Sequence, residues 1–454
     1  MTVPWINRSP GDLSVALPEV QPTLVEPAVA AAAGAAKTWA RTPMAERVER
    51  LRAVQAEIAR CKDELAHGIA LETGKPITEA LGEVGAVLAK FDFTISDGVE
   101  HLTAREITDG PHPSRVQRLA RGPAVVIAPF NFPLHLGNGA LLAHLLAGNP
   151  VLFKPSPLAA VVAGRYAGIV EAGFPPGVFQ LVQGGGEEGQ ALCLDPRVRA
   201  ICFTGSVPVG QALAQSLAAD FSKELALELG GRNAAIVCSD ADLALAAEAV
   251  ADGACLTCGQ RCNATSRVLV DARIATQFEE ALVAAFSKFQ PGDPLQPETK
   301  LGPLISAAAV SRFQQLCAGK AEWIIPGAIV GEVTGKRGYY VRPALRRRST
   351  APDAECFVPV VELETFTDLD DAVARHNLTP FGLTASIFTR SETTFRQLGA
   401  ELPVGNLYAN LPTTFSPSTL PFGGLGQSGN GRPGGRGFIR FTTVEQAVQW
   451  RGMT

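Results

Sequence analysis

Pro123-Ala124-Val125-Val126-Ile127-Ala128-Pro129-Phe130-Asn131-Phe132-Pro133 and Val151-Leu152-Phe153-Lys154-Pro155-Ser156 decide how this chain folds. Each contains a short apolar run that stops at a proline turn. Leu141 to Leu146, between them, reads as helix. The texture repeats at Val178 to Val182, Val198 to Phe203 and Leu225 to Leu227, with another helix at Ala160 to Ala172. Buried strands separated by crossover helices make a parallel α/β sheet. A second such series starts at Ala234 to Val237. It continues with a helix from Asp240 to about Cys258, a strand at Val268 to Val270 and a helix from about Ala275 to Phe289.

Outside these two series the pattern changes. Residues 44–100 read as helices, with Leu51, Val54 and Ile58 at near-helical spacing. The more polar stretch 101–121 carries Asp109-Gly110 as a hairpin turn. Residues 421–437 are rich in Gly and Pro, and a strand is expected around Glu445 to Trp450. At 454 residues the chain exceeds one ordinary core, so two or three domains are expected.

A net charge of −4 argues against a general nucleic-acid binder. The basic run Arg346-Arg347-Arg348 reads as a solvated edge or a subunit contact. The first thirty residues show no secretory pattern, and the alanine run 28–36 is too short to span a bilayer. Nine cysteines without a signal point to reduced thiols and a cytoplasmic home.

The chemistry-bearing residues fall at strand ends and turns. Cys262 sits in Gly259-Gln260-Arg261-Cys262-Asn263, thirty-four residues after Glu228 in Leu227-Glu228-Leu229-Gly230-Gly231. A sulfur nucleophile and a carboxylate able to activate water fit attack on a carbonyl followed by hydrolysis of a thioester. Asn131 lies in a turn bracketed by two prolines. It reads either as an oxyanion donor or as a turn residue bonding its own backbone. Phe203-Thr204-Gly205-Ser206 ends a strand and opens a helix. That fits a phosphate at the helix N-terminus, with Ser206 as cap, or an ordinary turn. Lys154 at a strand's carboxyl end is either a ribose or phosphate contact or simply solvated. The G-x-G-x-x-G matches at Gly184, Gly186, Gly189 and at Gly424, Gly426, Gly429 are discounted. Glu187 and Glu188 interrupt the first, and no strand precedes the second. Cys255, Cys258 and Cys262 are read as one helix face, the first two as small buried hydrophobes, and no metal site is expected.

Together these segments resemble the NAD(P)-dependent aldehyde dehydrogenase superfamily. The resemblance covers nearly the whole chain through Asn131-Phe132-Pro133, Phe153-Lys154-Pro155-Ser156, Phe203-Thr204-Gly205-Ser206, Glu228-Leu229-Gly230-Gly231, Gly259-Gln260-Arg261-Cys262 and Pro421-Phe422-Gly423-Gly424. Within the superfamily, Asn131 to Gly139, Leu146 to Asn149 and Ser428 to Pro433 resemble the branch acting on N-succinylglutamate 5-semialdehyde in arginine breakdown. The resemblance implies a Rossmann-like cofactor domain (1–101 and 122–231), a catalytic α/β domain (232–430) and a small β element for oligomerisation (102–121 and 431–454). It implies Cys262 as nucleophile, Glu228 as base and Asn131 with the Cys262 N–H as oxyanion donors. Lys154, Ser156, Gly205, Ser206, Glu355 and Phe357 would hold NAD. Arg261, His135 and Phe422 would meet a small-molecule aldehyde, an acidic one requiring a cationic tunnel mouth. A homodimer or homotetramer is implied.

Three departures stand out. Pro157 replaces the Glu that usually binds the ribose 2′-hydroxyl, which leaves NADP open. Val358 replaces a usual Gly in Phe357-Val358-Pro359. The leading hairpin near Ser9-Pro10-Gly11-Asp12 looks shortened, an effect expected at the edge of the cofactor domain.

Overall fold

The computed structural model describes residues 3–348 and 354–451. Residues 1–2 and 452–454, at the outer ends of the expected domain segments, lie outside the described residues. The opening stretch forms the middle of a six-stranded sheet. Ala124–Ile127 is flanked on one side by Val151–Lys154 and Phe179–Leu181, on the other by Ala200–Thr204 and Glu224–Glu228, all parallel. Alternate residues explain the unbroken apolar runs. Val126 and Phe153 pack into one core with Leu141 and Tyr166, while Val125 and Leu152 pack into another with Ile201 and Phe203. Both faces are covered, so no position along these strands favours a polar side chain. Helices His135–Ala147 and Ala160–Ala172 supply part of that cover.

The chain order reverses beside Ala124–Ile127. Strands two and three of the series run outward on one side; Ala200–Thr204 then returns to the other. Such a reversal opens a crevice at the strands' carboxyl ends. The sixth strand, Gly429–Asn430, runs antiparallel against Leu227 and Glu228. Gly429 has φ 126°, and a Cβ there would stand 2.1 Å from the Leu227 carbonyl, so only glycine permits this approach.

A seven-stranded sheet holds the second series, in the order Trp323–Ile325, Ala344–Arg347, Val360–Phe366, Thr265–Asp271, Asn233–Val237, Thr384–Phe388 and Asn406–Ala409. All neighbours pair in parallel except Trp323–Ile325. The expected 101–121 hairpin forms as Arg105–Ile107 and Ser114–Ala120. Thr443–Gln449 pairs with the longer of these strands along its whole length. No helix among the described residues is long and apolar enough to cross a membrane.

Two expectations need correction. The helix expected to reach Cys258 spans Leu243–Cys255, capped by the Asp242 side chain. A 3-10 turn, Leu256–Gly259, follows, with Thr257 at φ 52° and Cys258 at φ 54°. Cys255, Cys258 and Cys262 therefore do not share a helix face. The leading hairpin, Arg8–Ser9 with Asp12–Ala16, also does more than edge the first sheet. Tyr340 donates its hydroxyl to the Gly11 carbonyl at 2.8 Å, while Asn7 Nδ2 donates to the Pro157 carbonyl at 2.7 Å. The hairpin thus ties together segments attached to both large sheets.

Candidate active site

One cavity of about 870 Å³ opens at the carboxyl ends of the first sheet. Asn131, Lys154, Ser156, Gly205, Ser206, Glu228, Cys262, Glu355 and Phe357 all line it. Lys154 and Glu228 are the last residues of their strands, and Gly205-Ser206 follows directly on a third. Asn131 stands in the turn beyond Ala124–Ile127. Cys262 comes from the second series, in a bend between Leu256–Gly259 and Thr265–Asp271.

The bend carrying Cys262 is pinned from several directions. Asn131 is buried; its Oδ1 accepts from the Phe132 N–H at 3.1 Å and its Nδ2 donates to the Gln260 carbonyl at 2.8 Å. One amide N–H is left to act in the cavity. Gln260 Oε1 accepts from the Ile305 N–H at 3.0 Å. Beyond the Cys262 side chain, Asn233 Nδ2 donates to the Cys262 carbonyl at 2.9 Å. A Cβ on Gly231 would lie 2.5 Å from that same carbonyl, which explains a glycine there.

The charges of the site are set mainly by burial. Burial raises the Cys262 thiol well above its ordinary range; Glu228 adds to this, and the Asn263 N–H opposes it. Burial thus favours the protonated thiol of Cys262. A strand, not a helix, follows it. Both Glu228 carboxylate oxygens are buried and accept no hydrogen bond of standard geometry. Burial pushes Glu228 up to about 8; the nearby Cys262 thiol lowers it somewhat, and Glu355 raises it. Glu355 is itself raised by burial to about 7, against the Gly231 N–H at 3.2 Å and the charge of Arg312. Arg312 lines the cavity and donates to the Glu355 carbonyl, a role that no motif in the sequence marks.

The far part of the cavity is lined by polar groups from strand ends and a helix start. Lys154 is buried, its ammonium lowered by burial to about 8, and its Nζ bonds the Pro155 carbonyl at 3.4 Å. Helix Val207–Leu217 begins beside Gly205. Ser206 holds the cap position but spends no side-chain bond on it, which corrects its reading as a side-chain cap and leaves the hydroxyl to a ligand. A run of free N–H groups at such a helix start favours phosphate. Ser156 Oγ accepts from the Leu158 N–H at 3.3 Å. The discounted Gly184-Gly186-Gly189 stretch also reaches this cavity, with Gly186, Glu187 and Gly189 on its wall. Glu188, which seemed an obstacle to phosphate, instead accepts from the Gly185 N–H at 2.6 Å.

Arg261, His135 and Phe422 are absent from the cavity's lining. Arg261 pairs with Glu79 at 2.7 Å, bonds Thr257 Oγ1 at 3.0 Å and lies 4.9 Å over the Phe132 ring. It braces the loop and is not a spare cation. Phe422 pairs with Gly434 in a short antiparallel bridge. His135 opens helix His135–Ala147 with a buried Nδ1 that has no partner. Burial, with Lys90 and Lys75, lowers it to about 3.

Comparison with known proteins agrees with this layout. The model of the aldehyde dehydrogenase family matches residues 1–448. An N-succinylglutamate 5-semialdehyde dehydrogenase of Caulobacter vibrioides is 36% identical over 419 residues, covering 90% of this chain and 88% of the relative. A betaine aldehyde dehydrogenase of Cereibacter sphaeroides is 34% identical, with 98% of this chain and 93% of the relative covered. The crystal structure of an NAD-dependent aldehyde dehydrogenase from Sinorhizobium meliloti superposes with a TM-score of 0.92 at 32% identity, over 100% of this chain and 93% of the other. The chain belongs to the aldehyde dehydrogenase family and is an NAD(P)-dependent aldehyde dehydrogenase.

Proposed function

We propose that this enzyme oxidises an acidic semialdehyde, N-succinylglutamate 5-semialdehyde, to the free acid by hydrolysis of a thioester on Cys262. The observation that carries the chemistry is the shared cavity of Cys262, Asn131 and a Glu228 whose oxygens accept no hydrogen bond of standard geometry. Relatives named for that semialdehyde support the substrate class.

NAD, when bound, supplies the acceptor for a hydride. Lys154 and Ser156 would hold the adenine-side ribose, Gly205 and Ser206 the pyrophosphate, and Glu355 the nicotinamide ribose with Phe357 beside the ring. The Cys262 thiol gives its proton to water in the cavity and its sulfur adds to the aldehyde carbon, with Glu228 kept for the later hydrolysis. Asn131 Nδ2 and the Cys262 N–H meet the developing oxyanion; one such donor contributes about 3–4 kcal/mol. A thioester on Cys262 remains after oxidation. Glu228 takes a proton from the attacking water and the acid leaves.

Residues 1–101 and 122–231 serve as the cofactor domain and 232–430 as the catalytic domain. Residues 102–121 and 431–454 form the contact of a homodimer or homotetramer. Pro157 favours a second cofactor reading, NADP, because no carboxylate stands at that position. A panel of acidic, neutral and cationic aldehydes, run with NAD and with NADP and without coenzyme A, tests the reading. Acid release with the acidic semialdehyde at the highest kcat/KM is expected. A requirement for coenzyme A, or a preference for betaine aldehyde, would contradict it.

A further inference from the structure

Lys90 is a buried cation that the protein leaves without an anion. It lies on helix Ile77–Leu102, is 7% exposed, and makes no hydrogen bond or ion pair among the described residues. Burial lowers its ammonium to about 8, and Asp97 only partly opposes this. An unpaired buried ammonium is expensive and needs a reason. Its neighbour Lys75 shows the ordinary solution. Lys75 pairs with Glu83 at 2.5 Å, and the other Glu83 oxygen accepts the N–H groups of Leu134 and His135 at 3.0 and 3.1 Å.

Asp97 is hydrogen-bonded through one oxygen only. Its Oδ2 accepts from the Gly437 N–H at 2.8 Å, while His101 and Arg436 approach Oδ1 at 3.4 and 3.6 Å. A void of about 20 Å³ lies between Lys90, Asp97, Gly139, Ser418 and Arg436, room for a single oxygen atom. The Lys90 side chain crosses Gly139, where a Cβ would stand 3.5 Å from Cε and 3.8 Å from Nζ. Gly139 is one helical turn beyond His135, roughly 6 Å along the axis. His135 Nδ1, outside the void's lining, is buried and without a partner. Helix His135–Ala147 begins four residues after Asn131.

We infer that Lys90, with His135 beside it, receives a carboxylate of the substrate remote from the reacting aldehyde. A carboxylate oxygen suits the void, accepts from an ammonium and supplies the missing negative charge. This places substrate recognition on a helix that no motif marks, in place of Arg261, which is committed to Glu79. The inference rests on the reading of the substrate as an acidic semialdehyde, and the test separates the two.

The full-length enzyme with saturating NAD is assayed on N-succinylglutamate 5-semialdehyde and on pentanal, in the wild type, Lys90→Met and Gly139→Ala. The wild type is expected to favour the acid strongly. Lys90→Met should raise KM for the acid at least thirtyfold, with kcat changing far less, so that the acid-to-pentanal ratio of kcat/KM collapses. Gly139→Ala improves helix propensity and crowds the ammonium; it should raise KM for the acid at least fivefold, and it decides the matter should Lys90→Met fail to fold. A wild type without preference for the acid would refute the substrate reading. A wild type that prefers the acid, with variants that keep its ratio within threefold, would refute the role of Lys90 and leave that reading standing.

Discussion

Glu228 and Glu362 are both buried carboxylates on strands of a parallel sheet, and the protein treats them in opposite ways. Glu362, in Val360–Phe366, accepts from Arg232 Nη2 and from Arg346 Nε and Nη2, the latter two at 3.1 and 2.7 Å. Its charge is matched where it lies. Glu228 ends its strand with both oxygens buried, no hydrogen bond of standard geometry and the Cys262 thiol near, and burial lifts it to about 8. The first arrangement joins Val360–Phe366 to Ala344–Arg347 and to the segment before Asn233–Val237. The second stores a group that can exchange a proton near neutral pH, at a cost in stability. Glu228 lines the cavity that Cys262 and Asn131 also line, which is where an unmatched carboxylate can serve chemistry.

The sharpest way to break this contrast is to remove the atom Glu228 serves. Cys262→Ala should lower aldehyde oxidation by about 10⁴-fold or more; a steady-state assay retaining a few per cent of the wild-type rate would remove Cys262 from its role. Next in size, Glu228→Gln should cut steady turnover by about 10²–10⁴-fold without lowering the melting temperature, since the amide no longer asks to be charged. Asn131→Ala should cost about 10²–10³ in kcat, seen in kcat more than in KM.

Glu362→Gln should do the reverse of Glu228→Gln. Leaving Arg232 and Arg346 short of a counter-charge should destabilise the fold by about 3–5 kcal/mol, read in urea unfolding, while kcat per folded molecule changes little. Equal stability losses in the two variants would erase the distinction between the sites.

The smallest effect is in pH. Glu228 acts as a base only when ionised, so thioester hydrolysis should rise through about pH 8 and level off above it. The same raised value has a sign for stability. Folded Glu228 holds its proton more tightly than the unfolded chain does, so its contribution is complete below about 4.5 and is lost as pH rises through about 8. Glu228→Gln should flatten that decline in a pH series of unfolding curves.

Much of this was legible in the residues. The helix at Ala160–Ala172 forms over the span its pattern marks, and Val125 and Val126 face opposite cores as a covered strand requires. Strand ends could be read because apolar runs stop at Lys154, Thr204 and Glu228. Long-range pairing could not. Arg261 finds Glu79 across 182 residues, and nothing local to either announces it. The turn before Cys262 places Thr257 and Cys258 at positive φ, a conformation that their side chains disfavour and that helical spacing therefore concealed. Nothing local to Lys90 marks it, because burial without a partner is a property of packing and not of pattern.

The most direct measurement is rapid mixing of Glu228→Gln with aldehyde and NAD while the reduced cofactor is followed by absorbance. A burst approaching one equivalent per active site, followed by a slow steady phase, is expected, since acyl transfer to Cys262 survives and only water activation is lost. Loss of the burst along with the steady rate would contradict the division of labour between Cys262 and Glu228.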